Sequence, residues 1–404
     1  MNNSFNTNAQ NGEKPQTGRR IALTRPPLQE EGAFIWAAWS IIWKSWTRTN
    51  LARSKATTAV PACEGEGQVE GGCHRRFFAL TVCALICISA AGCASSQYSR
   101  GINAKPIPVI FDTDIGDDID DTWALGFLLR SPELDLKLAI GDNGKPEYRA
   151  KLLAKFLETA GRSDVAVGIG LDVNPENSGR QSEWVKDYDL RQYPGKIQSD
   201  GVQAIIDTIM KSPRPVTVIA VGPVQNLAEA LKREPRIARR ARFVGMHGSV
   251  RVGYGNNPKV SAEYNVKVAP KACQQVFTSL WDITITPLDT CDKVVLTGDK
   301  YQRVYNSADP IASTIITNYR IWAAALGQSS PANVPIRSST LFDTVAVYLA
   351  FSQELCGMEK LGIRVTDDGF TLEDPTAKPM NVATTWKNLA AYEDLLVQRL
   401  TAGR

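Results

Sequence analysis

Histidine is almost missing from this chain: His74 and His247 are the only two in 404 residues. That leaves little material for a Ser-His-Asp triad or a histidine-rich metal site. Cysteine is scarce where a fold is expected. Cys63, Cys73, Cys83, Cys87 and Cys93 all precede residue 100, and only Cys273, Cys291 and Cys356 follow. Those three scattered thiols make no disulfide framework, and no two of them stand at zinc-ligand spacing. Apolar runs long enough for a multi-pass membrane protein are absent. So is a basic surplus. The formal charge is +4, but residues 1–100 carry 11 Lys/Arg against 6 Glu and no Asp, so residues 101–404 sum to −1. The body therefore has no electrostatic footprint for a nucleic-acid polymer. No internal repeat is visible.

What the chain has in excess is carboxylate, in one place. In Ile107-Pro-Val-Ile-Phe-Asp-Thr-Asp-Ile-Gly-Asp-Asp-Ile-Asp-Asp-Thr-Trp-Ala-Leu125, an apolar run predicts a short buried strand. Asp112, Asp114, Asp117, Asp118, Asp120 and Asp121 follow, with Gly116 at the turn, and 122–129 reads as a helix. The carboxylates thus sit where a strand ends and a helix begins, the place where open α/β sheets bind ligands. One or two Asp there would be an ordinary helix cap. Six exceed that need, and their repulsion calls for raised pKa values or a cation between them. A hard, oxygen-seeking ion such as Ca²⁺ or Mg²⁺ meets the requirement.

The organisation splits near residue 100. Residues 1–74 read as a polar extension outside any fold, although Trp36, Trp39, Trp43 and Trp46 fall at the spacing of a membrane-surface helix. Residues 75–93 run Arg75-Arg76, then a 13-residue apolar segment Phe77–Ser89, then Ala90-Ala-Gly-Cys93. That is the order of an export signal. It resembles a bacterial lipoprotein signal, with Cys93 as the lipidated first mature residue and a natural start of translation near Val69. A polar linker, 94–106, leads into the body, 107–404. There, strands at 134–140, 165–169, 216–221, 243–246 and 283–286 alternate with helices at 148–160, 202–210, 227–233, 270–280, 311–326, 343–353 and 388–400. This alternation predicts an α/β fold with a mostly parallel, Rossmann-like central sheet flanked by helices. Residues 172–200 read as a long loop over the site, and a hairpin-like segment precedes the last helix.

Three ordered blocks give the body a family resemblance. Asp112-Thr-Asp114 with Asp120-Asp121, Asn257-Pro-Lys-Val-Ser-Ala-Glu263-Tyr-Asn265, and Leu341-Phe-Asp343-Thr-Val-Ala-Val together resemble the inosine-uridine-preferring nucleoside hydrolases. The resemblance covers about residues 107–400. It implies the nucleoside hydrolase fold, a bound Ca²⁺, and hydrolysis of the N-glycosidic bond of ribonucleosides, in proteins that are commonly homo-oligomers. By the same resemblance Asp114 binds the ion and acts as general base, Asp121 and Asp343 are further ligands, and Val221 contributes its carbonyl. Asp120, Asn143, Asn257, Glu263 and Asn265 would hold the sugar hydroxyls, with Asp112 supporting the metal from behind.

Two departures are informative. The acidic signature is two residues longer than the usual form, so Asp118 is an extra carboxylate that could support or replace Asp120 or Asp121. Phe342 stands where pyrimidine-active members carry an acidic histidine, which leans the expectation toward a stacked purine, with Trp184 or another loop aromatic on its second face. His247 is the one histidine in the body available as a stand-in acid, though a ring bonded to nearby backbone is the plainer expectation. Two other functions compete. One is a surface protein that binds nucleosides or sugars without turnover. The other is a DxD phosphatase with Asp112 as nucleophile, a reading in which the 257–265 block has no place.

Overall fold

The computed structural model describes residues 105–174, 176, 179–327 and 333–402. The tryptophan-rich stretch, the export signal and Cys93 lie outside the described residues. Ten strands form one sheet: β1 (Ile107–Thr113), β2 (Leu134–Gly141), β3 (Ala166–Gly168), β4 (Ile197–Gln198), β5 (Val216–Ala220), β6 (Ala241–Met246), β7 (Ile283–Thr286), β8 (Cys356–Val365), β9 (Thr371–Glu373) and β10 (Pro379–Trp386). Their order is β4-β3-β2-β1-β5-β6-β7-β10-β8-β9. All pairings from β4 to β10 are parallel; β8 runs antiparallel to β10, and β9, antiparallel to β8, forms the edge.

The sequence of β1 explains its central place. Val109 and Phe111 face one hydrophobic core while Ile110 faces the other, since alternate side chains leave a strand on opposite sides. The helices Asp120–Leu129, Pro146–Thr159, Pro310–Leu326 and Leu389–Thr401 fill the first core. The helices Gly201–Lys211, Gln225–Arg233 and Pro270–Thr278 fill the second. Helix cover on both faces is what an all-apolar parallel strand needs. Asp120–Leu129 is buried along nearly its whole length. That suits a segment that is apolar all round after its first turn.

From β1 the chain winds outward through β2, β3 and β4, then returns to start β5 on the other flank of β1. Strand order therefore reverses between β1 and β5, and the crevice at their carboxyl ends is the ligand site that such a reversal creates. The ends of β1, β2 and β5 deliver Asp112-Thr-Asp114, Asp142-Asn143 and Val221 to that crevice.

Several elements go beyond the sequence expectation. The stretch 172–200 carries a helical turn, Ser182–Val185, and the edge strand β4. Short helices Tyr264–Val268, Leu288–Cys291 and Gly298–Tyr305 were not anticipated. The helix after Asp343 ends at Leu349, not near 353. The hairpin-like segment is two long strands that extend the main sheet, with β10 seated parallel beside β7. No helix among the described residues is long and apolar enough to cross a membrane.

Candidate active site

After β1 the chain must turn sharply, and Gly116 makes that turn at φ +107°. A Cβ there would stand 2.5 Å from Leu152 Cδ1 and 2.7 Å from the Tyr148 ring, so only glycine fits. The following helix has Ile119 as its N-cap and takes no side-chain capping bond. Asp343 likewise occupies an N-cap position without capping. The acidic residues are thus not there to cap helices. Asp120, Asp121 and Asp343 instead converge, one oxygen of each within 4.8 Å of the others, all buried. The Asp343 amide also donates to Asp120 Oδ2 at 3.3 Å, and the Thr113 hydroxyl donates to Asp121.

Burial pushes the carboxyls of Asp120, Asp121 and Asp343 well above the usual range, and repulsion from one another and from Asp114 adds to it. Asp114 is pushed up to about 6 by burial, opposed by the Arg149 charge and aided by that of Asp117. Three buried carboxylates with hard oxygen donors and no shared proton donor suit a hard cation, which would relieve both burial and repulsion. The carbonyl of Val221 accepts from Asn265 Nδ2 at 3.1 Å, which leaves it a second lone pair.

The other expected residues distribute as follows. Asn143 lies against Asp114, its Nδ2 donating to Asp114 Oδ2 at 3.3 Å. Glu263 is buried and caps Tyr264–Val268, accepting from Asn265 N at 2.8 Å, Gly248 N at 2.9 Å and Val266 N at 3.3 Å. Burial holds it up at about 7 against those bonds. Asn265 ties together the carbonyls of Val221 and Met246, at the ends of neighbouring strands. Asn257 is not drawn in. It is exposed, and its Oδ1 closes a local turn by accepting from Lys259 N at 2.9 Å. Asp118 accepts from Ile119 N at 2.7 Å and stands outside the three-carboxylate cluster, its pKa raised by burial to about 6.

Asp112 sits behind Asp114. Its Oδ1 accepts from Asn226 at 2.9 Å, and its Oδ2 is enclosed with no hydrogen-bond partner. Burial raises it to about 7. A carboxylate so enclosed cannot reach a phosphorus, which removes the phosphatase reading. His247 is fully buried among Phe243 and Phe277, with Nε2 at 3.1 Å from the Gly222 carbonyl. Burial drops its pKa to about 4, so it is neutral and bonded to backbone, as the plainer expectation had it. Trp184 packs on Phe156, whereas the aromatic partner of Phe342 is Tyr254, edge-on at 6.2 Å between ring centres.

Sequence reading missed Arg149, which is fully buried. Its guanidinium donates to the carbonyls of Gly144 at 2.8 Å, Ile115 at 2.7 Å, Asn143 at 3.2 Å and also Asp114. It pins the turns after β1 and β2 to each other. A signal existed: Arg149 shares a helix face with Leu152, Leu153 and Phe156, and an arginine on an apolar face needs buried acceptors. Asp142 was missed as well. It is a further buried carboxyl whose pKa burial raises, beside Asp112.

Gly222 makes the close approach of β5 to β1 possible. A Cβ there would lie 2.8 Å from the Asp114 backbone nitrogen and 3.2 Å from its Oδ1. Gly222→Ala should therefore displace Asp114 and cost about 1–3 kcal/mol of stability. Thermal melts alongside turnover check this: normal values for both would mean that the Asp114 turn yields freely.

Comparison with known proteins agrees with this geometry. A family model described as "Inosine-uridine preferring nucleoside hydrolase" matches residues 109–397. The pyrimidine-specific ribonucleoside hydrolase RihA of Citrobacter koseri is 30% identical over 220 residues, 52% of this chain and 69% of that protein. The non-specific ribonucleoside hydrolase RihC of Klebsiella pneumoniae is 28% identical over 233 residues, 55% of this chain and 75% of that protein. Among solved structures, the plant nucleoside hydrolase PpNRh1 superposes with a TM-score of 0.63 at 24% identity, over 74% of this chain and 99% of its own. The purine-preferring ribonucleoside hydrolase of Gardnerella vaginalis gives 0.61 at 22% identity, over 73% and 98%. The likeness of these structures is one of fold. The match across most of the body, with the acidic crevice at the strand reversal, shows that this chain belongs to the inosine-uridine preferring nucleoside hydrolases, enzymes that hydrolyse N-glycosidic bonds.

Proposed function

We propose that the chain is an exported, Ca²⁺-dependent ribonucleoside hydrolase that favours purine leaving groups. The observation that carries the reading is the convergence of Asp120, Asp121 and Asp343, all three close enough to feel the charge of Asp114. Asp114, Asp121, Asp343 and the Val221 carbonyl would hold the cation. When bound, Ca²⁺ supplies positive charge that polarises water and offsets the repulsion of the carboxylates.

The chain's own groups supply the rest. Asp114 takes a proton from the attacking water, helped by a pKa lifted toward neutrality. Water oxygen bonds to C1′ as the bond from C1′ to the base nitrogen breaks, and the carboxylates stabilise the positive sugar ring between those events. Asp120, Asn143, Glu263 and Asn265 are placed to grip ribose hydroxyls, which converts sugar binding into orientation of C1′. Phe342 and Tyr254 form an aromatic wall suited to a flat base. With His247 buried and neutral, no histidine in the body protonates the leaving group, which favours bases that leave readily. The names of the relatives divide between pyrimidine and purine preference, so the base argument rests on this wall. The linker 94–106 and a lipidated Cys93 would tether the enzyme outside the cytoplasm.

The test is release of free base by the full chain from inosine, guanosine, adenosine, uridine and cytidine, with Ca²⁺ and then with chelator. Calcium-dependent release is expected, with purines ahead by up to about tenfold, the size of one aromatic contact. A pyrimidine preference would sink the base assignment. Tight nucleoside binding without turnover would install the non-catalytic binding reading in its place.

A further inference from the structure

Asp117, like Asp118, is a carboxylate of the acidic turn that the site has not used. It is absent from the three-carboxylate cluster. Its backbone oxygen accepts from Trp322 Nε1 at 3.0 Å and Arg180 Nη1 at 3.3 Å, so its place is fixed by two separate segments. Its Oδ1 lies 3.4 Å from Arg180 Nη1, and its Oδ2 accepts from the Tyr264 hydroxyl at 3.2 Å.

The contact with Tyr264 leads back to the catalytic carboxylate. The Tyr264 hydroxyl accepts from Asn143 Nδ2 at 3.3 Å, and the same Nδ2 donates to Asp114 Oδ2 at 3.3 Å. The Asn143 amide is oriented from its other end. Its Oδ1 accepts from Asn174 Nδ2 at 3.3 Å, so its NH₂ end must face Tyr264 and Asp114. The direction of the whole chain is set at its far end. The Tyr264 hydroxyl gives its proton to Asp117 Oδ2 and so presents a lone pair to Asn143. Without Asp117 the hydroxyl is free to turn, and Asn143 loses an acceptor that holds its amide toward Asp114.

We infer that Asp117 is a positioning residue which, through the Tyr264 hydroxyl and the Asn143 amide, orients the Asp114 carboxylate toward the attacking water. This rests on the assignment of Asp114 as base. Asp117 stays off the metal and, through Tyr264, ties the turn after β1 to the turn after β2 that carries Asn143. The bonds of 3.3 Å are at the loose end of the range and are of the kind that tighten in the reacting complex.

The test compares Tyr264→Phe, Asp117→Ala, the double variant and Asp117→Asn in the full chain with Ca²⁺. Tyr264 is 41% exposed, so loss of its hydroxyl leaves packing intact. Each of the first two variants should lose about tenfold in kcat with KM little changed, the size of one hydrogen bond expressed as rate. Because they act in series, the double variant should lose no more than either alone. Asp117→Asn keeps an acceptor oxygen and should recover part of what Asp117→Ala loses. Multiplying losses, a loss confined to KM, or a weakened Ca²⁺ titration in Asp117→Ala would overturn the inference; the last would make Asp117 a ligand. A crystal structure of Tyr264→Phe gives a reading independent of turnover. The Asn143 amide should turn away from Asp114, and an unmoved amide refutes the chain. A wild type inactive on every nucleoside would remove the hydrolase assignment, while the Asn143 rotamer would still decide this one.

Discussion

Asp114→Asn should lower kcat by about 10³-fold or more, because an amide cannot take the proton that the attacking water must lose. The side chain is isosteric, and the turn that carries it does not depend on its charge. Arg149 holds the backbone carbonyls of Asp114 and Ile115, and Gly116 makes the bend whatever precedes it. The variant should therefore fold. In the metal-free protein it should even melt higher than the wild type. Burial lifts Asp114 to about 6, so at neutral pH its ionised form is a cost borne by the folded state alone. Lost activity with gained stability is the mark of a group kept for chemistry at the expense of the fold. Steady-state kinetics and chelated thermal melts measure the two halves. Turnover within tenfold of wild type would take the base role away from Asp114.

Much of this site could be read from residue order because parallel strands end where ligands bind. The apolar run 107–111 placed β1, and its position next to six carboxylates placed the crevice before any contact was known. Asn143, Glu263, Asn265 and Asp343 follow the same logic, each standing at the end of a strand or the start of a helix. What escaped was decided by contacts between distant segments. Asp117 meets Tyr264 across 147 positions and Trp322 across 205. No local pattern separates it from Asp118, one residue away, whose carboxylate accepts from the next amide. Trp184 and Tyr254 are both loop aromatics in sequence, and only the fold sends one to Phe156 and the other to Phe342. Asn257 is named by the motif, and in the fold its side chain closes a local turn.

Removing the cation should abolish base release and destabilise the protein, by an amount that grows with pH. The sign follows from the carboxyls. Burial lifts Asp112 from an ordinary 3.8 to about 7, and Asp114 and Asp118 to about 6. Between about pH 4 and 7 the metal-free folded state therefore holds more protons than the unfolded chain, and its stability falls as pH rises through that window. A cation requires its own ligands ionised, Asp114 and with it Asp121 and Asp343, whose carboxyls burial also raises, so its binding competes with protons and strengthens over the same range. At pH 5 the gap in Tm between Ca²⁺-loaded and chelated protein should be small. At pH 8 a hundredfold excess of Ca²⁺ over Kd adds about 2.7 kcal/mol, a rise of roughly 5–10 °C. The two effects reinforce each other, because rising pH weakens the empty site while it improves the filled one. Calorimetric scans at pH 5, 6, 7 and 8 with and without chelator follow the gap directly. A gap that stays constant, or closes as pH rises, would mean that the ion is not held by these carboxylates.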